Sequence, residues 1–375
     1  MTFNLVLDGR VINDHFPGIG RYAIDLAGAL AQNADVRITL LYNPAALSTR
    51  YNLVALAKAA PAITLRPVAI APFTLAEQAR VAPIARTLGA NVWHSLYYIM
   101  PFFRLPRPIV LTVYDLIPLV LPEYWSKQNR LIFQLAHRLA LRAAAHVITL
   151  SASAKHDLMR FFGTKPNRIS VTPPAADEQF KPASQSAITA LRAKYNLQAP
   201  YMLYVGINKP PKNLVRLIEA YARVAVNIEH DCVIAGAWDA RYSEAKQRAS
   251  EKGLSERVRF IGPVAGDDLP ALYSGADLFI TASLYEGFGL PALEAMACGT
   301  PIACSNVASL PEVVGDAGVM FDPLNVDAIA QTIGDILTDR ALRDQLCQAS
   351  LARAAQFTWA RLAAQTIDVY RAVMA

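Results

Sequence analysis

Cysteine is scarce in this chain: Cys232, Cys298, Cys304 and Cys347 are the only four, and no two of them form a C-x-x-C pair. Set in apolar surroundings, they read as buried, reduced thiols rather than as a zinc site or a disulfide framework. Long hydrophobic runs are missing too, since a spanning helix needs about 18 uninterrupted apolar residues. The greasiest stretch, IVLTVYDLIPLVLP (109–122), is broken by Asp115 and two prolines. The N-terminus, MTFNLVLDGR, lacks a basic region followed by an apolar run and a cleavage site, so no signal peptide is expected and the cytoplasm is the default location. Charged residues make up only 18% against 54% hydrophobic, a balance that disfavours disorder and permits large cores.

What is present is enough chain for more than one core. At 375 residues and about 150 residues per domain, two domains are expected. The net charge of +6 is uneven: residues 1–180 hold 18 Lys+Arg against 10 Asp+Glu, or +8, and the remainder holds 18 against 20, or −2. Ten basic and three acidic side chains lie between Arg104 and Arg168. Lys127, Arg130, Arg138 and Arg142 fall near one face of the helical pattern SKQNRLIFQLAHRLALRAAA (126–145), with Phe102, Phe103, Tyr124 and Trp125 nearby. That face suits an anionic membrane surface, with a plain solvated helix face as the alternative. No basic and aromatic stripe or known binding module points to nucleic acid.

Strand-like segments alternate with helical ones. FNLVLD, VRITLLY, NVWH, PIVLTVY, HVITL and RISVT come first; YMLYVG, CVIAG, RVRFIG, DLFITAS and PIACS follow a less regular stretch, TPPAADEQFKPASQSA (172–187). This alternation predicts two doubly wound, Rossmann-like parallel-sheet domains with a boundary near 175–198 and ligands at the carboxyl ends of the strands.

The most informative segment is YEGFGLPALEAMACGTP (285–301). A strand, ADLFITAS, enters it and a helical pattern leaves it, with Pro291 suited to a first helical position. Gly287 and Gly289 let the backbone take positive φ and approach a ligand, leaving amides at the positive end of a helix dipole. That is an anion receptor. Glu286 and Glu294, with seven residues between them, suit vicinal hydroxyls instead, each carboxylate accepting two hydrogen bonds; for Glu294, complementing the helix dipole is the alternative role. Pro17-Gly18-Ile19-Gly20 reads as a second glycine loop ahead of the helix RYAIDLAGAL, and INKPPKN (207–213) places Lys209 and Lys212 at a strand end, where each suits phosphate oxygens, with a solvated loop lysine as the alternative for either one.

These segments resemble the retaining GT-B glycosyltransferases of family four (glycosyl transferases group 1), of bacterial surface-polysaccharide type. The resemblance covers nearly the whole chain. It rests on EGFGLPALE (286–294) with AMACGTPIACSNVASLPEVVGDAGVMFDP after it, on YVGINKPPKN (204–213), GIGRY, TVYDLIPL (112–119) and the closing FTWARLAAQTIDVYRAV. It implies the GT-B architecture: an acceptor-binding domain over 1–180 and a nucleotide-sugar-binding domain over 181–355, facing across a cleft, with a helix at 356–375 crossing back. It further implies that Glu286 binds donor-sugar hydroxyls, that the backbone of Gly287, Phe288, Gly289 and Leu290 meets sugar and diphosphate, and that Glu294 holds the ribose diol. Lys212 is implied for phosphate, Gly18, Gly20 and Gly206 for close backbone approach, and Val264 for the base; the phosphate contact that Ile207 cannot make is either missing or supplied by Lys209. Departures are Ile207, where the family commonly has Arg, and Tyr114-Asp115, where many members read His-Asp. Asp115 is expected either to orient donor or acceptor or to cap a helix, and His94 to be a hydrogen-bonded structural histidine.

The implied chemistry is sugar transfer without a metal or other cofactor, in keeping with the lack of any Asp-x-Asp triplet. The donor expected from the resemblance is GDP-mannose and the acceptor a lipid-linked oligosaccharide of surface polysaccharide (lipopolysaccharide) biosynthesis. The alternatives are a UDP-sugar donor and a nucleotide-sugar-binding protein without transfer activity. The expected location is cytoplasmic, peripheral on the inner face of the cytoplasmic membrane.

Overall fold

Strands buried on both faces need continuous apolar runs, and IVLTV supplies one: all five residues of Ile109–Val113 are buried. A computed structural model describes residues 2–46 and 50–375 of the chain. It divides into unit 1, Met1–Pro174 with Thr358–Ala375, and unit 2, Ala175–Phe357.

Unit 1 carries β1 (Phe3–Asp8), β2 (Val36–Tyr42), β3 (Ile63–Pro67), β4 (Val92–Ser95), β5 (Ile109–Val113), β6 (His146–Thr149) and β7 (Ile169–Val171). All pair in parallel, in the order β3-β2-β1-β4-β5-β6-β7. Chain order reverses between β1 and β4, so the loops leaving these two strands diverge and open a crevice at their carboxyl ends. β3 was not expected from the sequence: ITLRP is a short edge strand whose Arg66 and Pro67 are exposed, which blurs its apolar pattern.

Gly18 and Gly20 do not form a loop ahead of a helix. They lie in the first turn of the helix Pro17–Ala31, because proline, with its fixed φ and no N–H to lose, starts that helix early. Gly20 makes room for an aromatic ring: a Cβ there would stand 2.5 Å from Cε2 of Tyr51.

The last helix, Trp359–Met374, packs on unit 1. Its Tyr370 hydroxyl lies 2.7 Å from Nδ1 of His94, and Nε2 of His94 lies 2.8 Å from Oγ1 of Thr112. Tyr370 also meets Phe3 edge-on at 6.1 Å, and Arg371 bridges Asp35 at 3.2 Å. His94 is wholly buried, and burial lowers its pKa from 6.5 to about 3. It is thus a neutral, hydrogen-bonded structural histidine.

Unit 2 carries β8 (Tyr201–Val205), β9 (Asp231–Ala235), β10 (Val258–Gly262), β11 (Leu278–Thr281), β12 (Ile302–Ser305) and β13 (Gly318–Phe321). They form a second parallel sheet, β10-β9-β8-β11-β12-β13. β13, a half-buried edge strand that begins with glycine, is the other strand the sequence hid. Leu217, Ile218 and Tyr221, on one face of the helix Leu214–Val224, are fully buried in a core shared with Met202, Leu278 and Ile280. Here order reverses between β8 and β11.

Candidate functional site: the switch point of unit 2

The loops that leave β8 and β11 carry Lys212 and Glu286, so the reversal of strand order brings together two residues 74 positions apart. The first loop is shaped by close backbone packing. Gly206 donates its N–H to the Ala235 carbonyl at 2.9 Å, and a Cβ on Gly236 would meet the Gly206 carbonyl oxygen at 2.2 Å. Asn208, buried, then ties this loop to the one after β9: its side-chain amide donates to the carbonyls of Asp239 (2.9 Å) and Tyr242 (2.6 Å) and accepts from the Asp239 N–H (2.6 Å). Asn213 ends the loop at φ +59, a left-handed conformation that asparagine tolerates. Its amide donates to the carbonyls of Ala282 (2.9 Å) and Pro323 (2.8 Å), and the Leu284 N–H reaches the Pro211 carbonyl at 2.8 Å. The two loops are therefore stitched to each other before any side chain meets a ligand.

Between them, Nζ of Lys212 donates to both carboxylate oxygens of Glu286, at 2.7 and 2.8 Å. The side chains are 25% and 14% exposed, so the pair is shielded yet reachable. Ser283 donates to Oε1 of Glu286 at 2.7 Å and lies 3.0 Å from Oγ1 of Thr281, while Ser309 donates to the Glu286 carbonyl at 2.8 Å. Below them Tyr204 is buried; burial first, and the Glu286 charge second, hold its phenol well above its ordinary pKa. The carboxylate is thus fixed in position by a cation and a hydroxyl, and it presents acceptor capacity for further O–H donors.

The helix that follows, Leu290–Ala297, begins at Gly289, whose φ is +99. A side chain there would be strained by that backbone, and its Cβ would meet Leu310 Cδ2 at 2.9 Å. With no side-chain cap and Pro291 in the first turn, the helix starts on backbone amides alone, an arrangement that favours an anion. Phe288 is buried edge-on to Phe357 at 5.9 Å, so it anchors the loop by packing while its backbone stays at the helix entrance. Half-buried Glu294 accepts a hydrogen bond from the Tyr273 hydroxyl at 2.9 Å.

Of the residues singled out from the sequence, Lys212 and Glu286 meet directly, and Gly206, Gly287, Phe288, Gly289 and Leu290 line the same two loops. Glu294 stands on the helix behind them, and Val264, half-buried, follows β10. Lys209 is exposed on its loop beside Asp239. The Asp239 carboxyl is drawn down to about 2, chiefly by the hydrogen bond from Arg241, with Lys209 adding to the effect. Ile207 contributes its carbonyl, which accepts from Tyr204 at 3.2 Å. Asp115, Gly18 and Gly20 belong to unit 1. Asp115 accepts from the Ile117 N–H at 3.1 Å, an Asx turn just ahead of the short helix Ile117–Val120, whose N-cap position is Leu116 and carries no side-chain cap. The sequence reading missed Ser283, Ser309, Tyr273, Asn208 and Asn213. The dipeptide Lys212-Asn213 held the one usable signal, since asparagine ahead of a helix marks a helix start or a left-handed turn.

Two doubly wound parallel sheets, one of them with an ion-paired, amide-rich site at its switch point, define an α/β protein of the GT-B fold. Solved structures share it: HepE of Anabaena in complex with UDP-glucose is 21% identical, with a TM-score of 0.79 over 98% of this chain and 99% of that one. WaaG, a glycosyltransferase involved in lipopolysaccharide biosynthesis, is 17% identical with a TM-score of 0.75 over 98% and 99%. Residues 188–353 match the family described as glycosyl transferases group 1, and residues 17–180 match glycosyltransferase family 4. O-antigen chain mannosyltransferase B of Escherichia coli is 32% identical over 369 residues, 94% of this chain and 96% of that protein. The serotype-specific mannosyltransferase WbdA of Escherichia coli is 32% identical over 78% of this chain and 38% of its own length. The chain belongs to the group 1 glycosyl transferases, and it is a glycosyltransferase.

Proposed function

We propose that the protein transfers mannose from GDP-mannose to a hydroxyl of a lipid-linked oligosaccharide in surface polysaccharide assembly, with retention of configuration and no metal. The observation that carries this reading is the likeness to O-antigen chain mannosyltransferase B along 94% of the chain, together with the ion-paired switch-point site. Transfer breaks the bond between the anomeric carbon and the diphosphate oxygen, whose electron pair stays on the diphosphate. The acceptor oxygen bonds to that carbon on the same face, and its proton passes to the departing phosphate oxygen. Charge thus grows on the diphosphate, where Lys212 and the amides of Phe288, Gly289 and Leu290 stabilise it by preorganised electrostatics. Lys209 assists from its loop. Glu286 orients the sugar hydroxyls, Glu294 the ribose diol, and Val264 covers the base; Asp115 positions the acceptor side. The loop around Gly206 lets phosphate approach closely.

A lipid-linked acceptor lies at a membrane. Among the described residues no helix is long and apolar enough to cross one. The helix Lys127–Ala143 exposes Leu131 (66%), Ile132 (54%) and Leu135 (56%) on the same side as Lys127, Arg138 and Arg142, while Arg130 is half-buried. Apolar side chains among long cations suit the headgroup zone of an anionic bilayer.

The donor is tested by thermal stabilisation with GDP, UDP, ADP and dTDP and their sugars, repeated on Glu294→Ala, because bound nucleotide raises apparent stability by mass action. A GDP and GDP-mannose shift that Glu294→Ala abolishes is the expected result. A UDP-selective shift would replace the donor, and no shift at all would leave a protein that does not bind nucleotide-sugars.

A further inference from the structure

The switch point of unit 1 has its own construction, unlike that of unit 2. The loop after β1 presents His15 and Phe16, the loop after β4 presents Tyr97, and the loop after β3 presents Phe73. The ring of Tyr97 bridges the other two: its centroid is 5.6 Å from that of Phe16 and 6.0 Å from that of Phe73, and His15 stands edge-on to Phe16 at 4.5 Å. Phe16 and Phe73, with Tyr97 packed against both but outside the lining, border a cavity of about 630 Å³ whose wall also includes apolar Val11, Ala46 and Pro72 and polar Asn13, Asp14 and His15. That volume lies within the usual range for small-molecule sites.

Phe73 is held there against its preferences. It is 53% exposed, unusually open for a large apolar ring, and its φ is +68, a left-handed conformation costly for a bulky residue. What holds it is a buried ion triad. The Phe73 N–H donates to Oε2 of Glu77 at 3.0 Å; Oε1 of Glu77 accepts from Arg10 at 2.8 Å; and Arg10 reaches both oxygens of Asp8, at the end of β1, at 2.7 Å. Arg10 and Glu77 are 1% and 0% exposed. A buried triad that joins Arg10 to Glu77, 67 residues away, therefore fixes one exposed aromatic at a cavity mouth. Backbone strain maintained by such a network points to function.

An aromatic shelf beside amide, carboxylate and imidazole groups is the chemistry that recognises a sugar. The C–H-bearing face of a pyranose lies on the electron-rich ring, and the polar groups take its hydroxyls. We propose that Phe73, with Phe16 and Tyr97, forms a stacking platform for a sugar of the oligosaccharide acceptor, and that Glu77 and Arg10 are its positioning residues. The inference rests on the proposed reading for the role of that sugar as acceptor, while the platform itself stands on the geometry of unit 1.

The test is saturation-transfer NMR with mannotriose and with diacetylchitobiose, irradiating aromatic protons, on the wild type, Phe73→Ala and Phe73→Trp. Phe73 is half out of the fold, so its removal spares folding, which a melting curve checks. Expected are saturation of one of these glycans by the wild type, a fall of about tenfold in affinity for Phe73→Ala, and retention by Phe73→Trp. Equal binding by wild type and Phe73→Ala, or binding of neither glycan by the wild type, would overturn the proposal. Nucleotide stabilisation on the same variants separates the two readings. A UDP-selective shift with the Phe73 effect intact removes GDP-mannose and keeps the platform; a GDP-mannose shift without the Phe73 effect keeps the donor and removes the platform.

Discussion

At the scale of single residues, buried charge is concentrated in the triad Asp8–Arg10–Glu77 of unit 1. Burial pushes the Glu77 carboxyl upward while Arg10 pulls it down, so the carboxylate depends on its partner. Removing one partner of such a set strands the other charge away from water. Glu77→Ala is expected to cost about 3–5 kcal/mol in urea unfolding, far more than an exposed substitution such as Glu123→Ala. A loss under about 1 kcal/mol would mean that water reaches Arg10. The sequence could not show this triad, because Glu77 lies 67 residues from Arg10 and only sheet order joins them. Lys212 and Glu286 lie farther apart still, by 74 residues, yet both were legible, since each sits inside a local pattern of strand end, turn and helix start. Ser283 and Tyr273 have no such pattern. Their roles come from where their hydroxyls fall, 2.7 Å from Glu286 and 2.9 Å from Glu294.

At the scale of elements, buried parallel strands announced themselves through unbroken apolar runs, while of the four edge strands β7 and β10 were legible from RISVT and RVRFIG and β3 and β13 were not. β3 and β13 are partly exposed, so neither keeps the run that marks β5. The helix Lys127–Ala143 was legible in outline from its pattern and basic residues; Ser126, read as part of the helical pattern, is instead its N-cap and accepts from the Asn129 N–H. Its apolar contribution was hidden, because Leu131, Ile132 and Leu135 look like core until their exposure is known. They set the prediction for this element. Flotation with anionic liposomes should carry the wild type upward, and Leu131→Ser with Leu135→Ser should weaken binding several-fold without changing nucleotide stabilisation. Equal flotation of the two proteins would place membrane contact elsewhere.

At the scale of the whole molecule, two doubly wound units account for the length of the chain, and one chain end is fastened by a histidine. His94 and His137 are both buried in unit 1, and burial lowers each from 6.5 to about 3. The unfolded chain takes up these protons as pH falls through about 6.5, whereas the folded chain refuses them until about 3. Their contribution is therefore fully present above about 6.5 and is lost progressively down to about 3. Guanidinium midpoints should fall between about pH 7.5 and about pH 5, and His94→Gln should flatten that dependence. An unchanged slope would mean that His94 is protonated in the fold.

The central claim is that the Lys212–Glu286 site performs sugar transfer. It is tested most directly by initial rates of mannose transfer from GDP-mannose to lipid-linked acceptor for the wild type and Glu286→Gln, with melting curves to show that both are folded. Glu286→Gln keeps the size of the side chain and removes its charge, so kcat is expected to fall by about 10²–10³ with Tm nearly unchanged. Transfer by Glu286→Gln at the wild-type rate would contradict the account.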